Sequence, residues 1–232
     1  MFLLSEDYVF PNPESGELLA VGGDLAPQRL LRGYAQGIFP WYNDTETPIL
    51  WHSPAQRMVL APSRAHASKS MRRVLRSNRF EVRYDTAFIE VLRGCAETPR
   101  RDELGTWLNP RMQSAYLRLH QLGYAHSVES WREGELVGGL YGVALGAVFF
   151  GESMFSRVRD ASKAAFLTMA RDLDQAGFLL IYCQLHPDHL ERLGAREWPA
   201  PRFREALREL LRVQPAPRWP TVAPRWAPAA RP

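Results

Sequence analysis

The sequence predicts an α/β fold with a mixed sheet preceded by a small N-terminal domain, and three observations point there. After Pro62, strand-like runs alternate with stretches of helical apolar spacing. In the middle lies a meander, Ala125 to Trp131, Glu135 to Leu145 and Ala147 to Ser153, with turns at Glu133-Gly134 and Gly146. A helix striped by Phe166, Met169, Ala170 and Leu173 then separates the meander from the unbroken apolar run Phe178 to Cys183, a buried strand. A helical bundle or a pure sandwich has no use for that order.

The elements follow in sequence. Phe2 to Gly23 is broken by Pro11, Pro13, Gly16 and Gly22-Gly23, so only Leu18 to Val21 reads as regular structure. Pro27 suits a first helical turn, and Leu30, Leu31 and Tyr34 stripe a helix that stops near Gly37. Ile38 to Pro54 carries Trp41, Trp51 and three prolines, and is expected to present its rings from a stiff loop. These indoles either plug a domain interface or stack on bases. A domain boundary is expected at residue 62, giving a small domain over 1–62 and a larger one over 63–213.

In the larger part, Met71, Val74 and Leu75 mark a helix, and Phe80, Val82 and Tyr84 alternate as a strand. Asp85 is expected to cap a helix striped by Phe88, Val91, Leu92 and Cys95. Asn109 and Pro110 open another, with Met112, Ala115, Tyr116 and Leu119 on its inner face. Asp160 is expected to cap the helix that ends at Gly177, and Phe203, Leu207, Leu210 and Leu211 stripe the last one. From 214 to 232 prolines recur so often that a mobile tail is expected.

Composition narrows the function class. Hydrophobic residues at 46% and charged residues at 23% are those of a globular protein. Cys95 and Cys183 are too few for a disulfide scaffold, Met1 to Leu4 runs straight into Ser5, Glu6 and Asp7 rather than a leader, and no stretch is long enough to span a bilayer. A cytoplasmic protein without a membrane partner is expected. The net charge of +4 leans weakly toward an anionic partner. Placement says more: Lys69, Arg72, Arg73, Arg76 and Arg79 fall on one helical segment, either a solvated face or a surface for a phosphate backbone.

The chemistry concentrates between Leu136 and Lys163. Gly138-Gly139 weakens a strand and marks a bulge or a close approach. Glu152 follows two phenylalanines and a glycine, so its carboxylate needs a cationic or hydrogen-bonding partner, or else a place at the sheet rim. Neither a Walker loop nor a dinucleotide fingerprint is present, and Phe155 stands where a nucleophile elbow needs its second glycine. Cys183, His186 and His189 are spaced C-x-x-H-x-x-H, but Pro187 interrupts them and no fourth ligand is near, so no metal site is expected. The remaining groups suit a transferase that positions an anionic, base-bearing donor.

A series of ordered motifs takes the reading further. GGDLAPQRLLRGYAQGIFPW (Gly22 to Trp41), PILWHSP (Pro48 to Pro54), GTW (Gly105 to Trp107), AY (Ala115-Tyr116), HSVE (His126 to Glu129), LVGGLYGV (Leu136 to Val143), FFGESMFSR (Phe149 to Arg157), ASK (Ala161 to Lys163) and HLERLGA (His189 to Ala195) resemble the leucyl/phenylalanyl-tRNA-protein transferase family. The resemblance implies a GNAT-like acyltransferase domain after a small N-terminal domain. It implies transfer of Leu or Phe from Leu-tRNA or Phe-tRNA to proteins with N-terminal Arg or Lys, marking them for degradation, without a cofactor. By that resemblance Trp51 and Trp107 would contact the donor's terminal adenosine, with Tyr116 in the same motif set. Glu152 would hold the donor's ammonium, and Leu140, Phe149, Met154 and Met169 would line a pocket for its side chain. Gln184, Glu152 and the position of Tyr182 would serve the chemistry, and the basic face read above from charge placement, Lys69, Arg72, Arg73 and Arg76, is the candidate surface for the tRNA.

Three departures from the family pattern stand out. The usual Ile-Asp-Cys-Gln stands here as Ile181-Tyr182-Cys183-Gln184, the asparagine usual three residues past that glutamine is Pro187, and Trp-Trp is Trp51-His52. A tyrosine is no anionic base at neutral pH without a large shift. The alternatives are a GNAT-like enzyme with another donor, or a non-catalytic RNA-binding relative.

Overall fold

The computed structural model describes residues 2–3, 9–13, 17–43, 47–98, 107–183, 190–214 and 216–221. Two sheets organise them. A four-stranded sheet has the order β1 (Phe2–Leu3), β2 (Leu18–Val21), β4 (Leu50–His52), β3 (Phe39–Pro40), with α1 (Pro27–Ala35) packed against it. A seven-stranded sheet has the order β11 (Arg196–Pro199), β5 (Gln56–Leu60), β10 (Leu180–Tyr182), β9 (Val148–Ser156), β8 (Glu135–Leu145), β7 (Ala125–Arg132), β6 (Glu81–Tyr84). β9 and β10 run parallel and their neighbours antiparallel, so the sheet is mixed, as the crossover through α5 (Ala161–Ala176) requires. Sheet membership changes between His52 and Gln56, ahead of residue 62: β5 already belongs to the larger sheet.

Local signals explain most helix limits. α2 (Lys69–Arg76) starts where Ser68 accepts from Met71 N at 3.2 Å. α4 (Pro110–Gln121) starts where Asn109 accepts from Met112 N at 3.1 Å. α5 ends on Gly177 at φ 90°, a conformation without cost for glycine. Two expected caps differ. α3 (Phe88–Glu97) begins after Ala87, without a side-chain cap, because the Asp85 carboxylate is engaged across the sheet with Ser127 N at 2.8 Å and His126 Nδ1 at 2.8 Å. Asp160 does precede α5, but in a left-handed turn at φ 73° that turns its carboxylate toward Lys163 and Arg159. The last helix, α6, spans Ala200–Leu210.

The sheet divides the core in two. One cluster joins the small sheet, α1, α3 and α4 to one face of the large sheet, through Tyr34, Trp51, Tyr116, Tyr141, Phe150 and Phe203 among others. The other lies beneath α2 and α5 and contains Leu140, Phe149, Met169 and Ile181. Gly138 exists for contact: a Cβ there would lie 2.6 Å from Ala161 Cβ, where α5 begins. Beyond α6, residues 216–221 are not the free segment that proline content suggests, since Trp219 is held among four rings.

Candidate active site

Glu152 sits where the ladder between β8 and β9 slips by one residue, Tyr141 facing Ser153 and Gly142 facing Gly151. The extra residue in β9 frees Glu152 from the strict alternation that buries Phe149 and Phe150 on opposite faces. Glu152 is 8% exposed. Tyr116 of α4 donates to Glu152 Oε2 at 2.7 Å, and the Tyr34 hydroxyl of α1 lies 2.8 Å from that of Tyr116. Burial, reinforced by the nearby carboxylate charge, pushes both phenols well above their ordinary pKa, so they remain donors at all physiological pH values. Among the partners that Glu152 needed is thus a chain of two tyrosines drawn from separate helices. Tyr34 was not singled out by sequence reasoning; its place in a motif stretch was the available signal, but helical periodicity made it a core residue.

Trp107 joins this group, edge to face with Tyr116 at 6.4 Å, and Tyr116 meets Tyr141 at 5.1 Å. Trp51 does not. It is 0% exposed, its Nε1 donates to Gly22 O at 3.0 Å, and its ring packs on Phe10 at 4.8 Å. The expectation that both indoles are presented from a loop is therefore corrected: Trp51 lies in β4 because its indole fills the interior of the small sheet. Trp41 is only half-buried, edge-on to His52 at 5.7 Å.

Tyr182 ends β10 on the face opposite α5. Its ring packs 4.7 Å from Phe203 and 6.2 Å from Phe150, and its hydroxyl accepts from Arg57 Nη1 at 3.1 Å. Arg57 is wholly buried in β5, and also donates to Gly37 O at 2.8 Å and Ser53 Oγ at 3.0 Å. Burial raises the Tyr182 pKa although Arg57 opposes the shift, so the residue is a neutral acceptor for a buried cation rather than a base. Next to it, burial pushes the Cys183 thiol up to about 12, which removes it as a nucleophile.

Leu140, Phe149 and Met169 come together in the cluster beneath α5, with Met154 packed against it. They lie across the sheet from Tyr116 and Trp107. Among the described residues, the strand pairing that separates the two halves ends at one point on this flank of β9. β10 pairs with β9 only from Val148 to Phe150 and ends at Tyr182, whereas β9 continues to Ser156. Among the described residues, β9 has no strand beside it on that flank from Gly151 onward. An elongated group can there lie against main-chain N–H and C=O groups with Glu152 on one side and Met154 on the other. Gln184, like Gly105-Thr106, His186, Pro187 and His189, lies outside the described residues. Lys69, Arg72, Arg73 and Arg76 are all exposed on α2, away from this gap in sequence and on a separate element.

Comparison with known proteins now decides the class. A family model described as leucyl/phenylalanyl-tRNA protein transferase matches residues 59–208, and one for the N-terminal domain of the same family matches 23–55. A leucyl/phenylalanyl-tRNA–protein transferase of Myxococcus xanthus is 49% identical, over 99% of this chain and 97% of its own length. One from Syntrophobacter fumaroxidans is 56% identical over 90% of each chain. The chain belongs to this family. It is accordingly an aminoacyltransferase, with an aminoacyl-tRNA as donor and a protein as acceptor. No described helix of the transferase is long and apolar enough to cross a membrane, and its described residues hold no cluster of three or more metal-ligating side chains.

Proposed function

We propose that this transferase moves Leu or Phe from its tRNA to the N-terminal Arg or Lys of acceptor proteins in the cytoplasm, marking them for degradation, and that the gap beside β9 is where the ester is held. The observation that carries this reading is the Glu152 carboxylate, nearly buried, fixed by Tyr116, at the point where β10 stops. A carboxylate so placed fits the donor's α-ammonium, while Leu140, Phe149, Met154 and Met169 supply an apolar wall for its side chain on the other face. Methionine adapts its shape, which suits a site that takes both Leu and Phe. Trp107 and Tyr116 back the adenosine side from within, being almost as enclosed as Trp51. Trp41, which keeps part of its ring open, is the better stacking platform. Lys69, Arg72, Arg73 and Arg76 of α2 would take the tRNA backbone.

The reaction proceeds as a GNAT-like acyl transfer. The acceptor's neutral amine attacks the ester carbonyl, the carbonyl carbon–ribose oxygen bond breaks, and the proton lost by nitrogen ends on the ribose hydroxyl. Ester to amide is downhill, so no cofactor is called for. Burial of Tyr182 and its bond to Arg57 argue against its acting as a base, so in this reading the proton passes through water to the ribose hydroxyl, with Gln184 as a hydrogen-bonding group. The test is transfer of labelled leucine from Leu-tRNA to an arginine-starting peptide. A labelled peptide is expected, and tRNA binding without transfer would mean a non-catalytic relative.

A further inference from the structure

We infer that Trp219, on the segment after the last helix, is a positioning residue for donor choice, acting through Phe149. This rests on the reading of Leu140, Phe149, Met154 and Met169 as the side-chain pocket.

The argument starts from a row in the sheet. His126 of β7 faces Gly142 of β8, and Gly142 faces Gly151 of β9, so two of three adjacent positions carry no side chain. A trough results on the α5 side. The Phe149 ring folds into it: a Cβ on Gly142 would lie only 2.5 Å from Phe149 Cζ, and one on Gly151 would lie 3.9 Å from its Cε1. With glycine at both positions beneath it, the ring has no side chain below to fix its place, so the group that covers it from above helps to set it. Trp219 does so. Its indole is stacked on Phe149 at 5.2 Å and 25°, and on His126 at 4.4 Å and 14°. It meets Tyr84 and Phe178 edge-on at 5.8 and 6.3 Å. His126 is itself tied to Asp85 at 2.8 Å, and Tyr84 donates to Asp172 of α5 at 2.6 Å, so the indole rests on anchored groups. The same apolar cluster contains Leu140 and Met169, with Met154 and Trp219 packed on its edge. Trp219 therefore sets where Phe149 stands in the pocket, and with it the room left for a donor side chain.

The experiment compares kcat/KM for Phe-tRNA and Leu-tRNA in wild type, Trp219→Leu, Trp219→Phe and, as a control on the pocket itself, Phe149→Leu, with thermal melts of each. Trp219→Leu stays apolar but loses the stack and much of the indole's volume. Phe149 then drifts toward the vacated side and the pocket widens, so the Phe to Leu ratio is expected to rise on the order of fivefold, the size of one lost aromatic contact. Trp219→Phe should restore the ratio, because the indole Nε1 has no hydrogen-bond partner among the described residues to lose. An unchanged ratio in folded Trp219→Leu, with a changed one in Phe149→Leu, overturns the role of Trp219 and leaves the pocket reading standing. An unchanged ratio in both overturns the two together. Faster transfer from both donors at constant ratio would make the indole a plug, and would also overturn it.

Discussion

Replacing Glu152 with glutamine removes a charge while keeping the length and shape of the side chain. Tyr116 donates to Oε2 at 2.7 Å, and the amide oxygen of glutamine can accept the same bond. The Tyr34–Tyr116 pair and the bulge in β9 are retained, so the melting temperature should move by no more than a few degrees. What disappears is the charge toward the donor's ammonium. A charge-assisted hydrogen bond contributes about 1.5–3 kcal/mol and a neutral one about 0.5–1.5 kcal/mol. The difference, about 1–1.5 kcal/mol, corresponds to roughly a tenfold loss in kcat/KM. Glu152→Ala should lose more, on the order of 100-fold, and also lower stability because the Tyr116 hydroxyl is left buried without its acceptor. The assay is peptide leucylation against Leu-tRNA concentration at saturating acceptor, beside thermal melts. An unchanged kcat/KM in Glu152→Gln would refute the ammonium assignment. A loss in rate matched by a loss in folded fraction would reduce Glu152 to a structural role.

Three further outcomes are expected. Reversing Lys69, Arg72, Arg73 and Arg76 to glutamate should weaken tRNA binding and flatten its dependence on salt, while a minimal donor carrying only the terminal adenosine reacts as before; equal damage to both donors would place α2 at the reaction centre. Tyr182→Asp should lower stability by about 3 kcal/mol in a urea titration, since the lost ring packs on Phe150 and Phe203 and leaves a cavity, while Tyr182→Phe costs about 1 kcal/mol by removing one acceptor from Arg57; faster peptide transfer in Tyr182→Asp, despite that loss, would show that an anion at this position draws the acceptor. Burial raises the Glu129 carboxyl above 4.5 against the opposing bonds from Ser127 and Thr86. The folded state then holds a proton that the unfolded state releases, so stability falls as pH rises from 4.5 through the folded value, and Glu129→Gln should flatten that stretch of the urea midpoint against pH.

Where most helices and the strands of the meander begin and end was legible because the causes lie within a few residues, whereas β3, β4, β5 and β11 were not read as strands. Ser68, Asn109 with Pro110, and Gly177 act on the nearest turn of backbone, and the apolar stripes of α1, α4 and α5 repeat at the spacing of a helix. The meander was legible for the same reason, with β8 running from Glu135 to Leu145 as alternation and turn residues predicted. Motif order carried the family, since ordered short strings need no geometry to be matched. What failed to show were facts of register and depth. Asp85 looked like a cap because it precedes an apolar stripe, yet β6 brings it opposite Ser127, and its carboxylate follows the nearer donors. Trp51 looked like a stacking platform because it stands among prolines, yet pairing of β4 with β2 and β3 turns it into the small sheet's interior.

The sequence by itself determined the helices, the meander, the family and the residue types on offer: a carboxylate after two phenylalanines, a basic helix, and indoles near prolines. Only the tertiary structure decided that Glu152 rests on Tyr116 and Tyr34, that Tyr182 serves Arg57, and that Trp219 covers Phe149. Tyr34 and Tyr116 are 82 positions apart in the chain, and Trp219 is further still from His126. Contacts at that separation depend on strand order, on the one-residue slip between β8 and β9 and on the point at which β10 stops. No local pattern encodes those, because they are set by which large surfaces can be buried together at once.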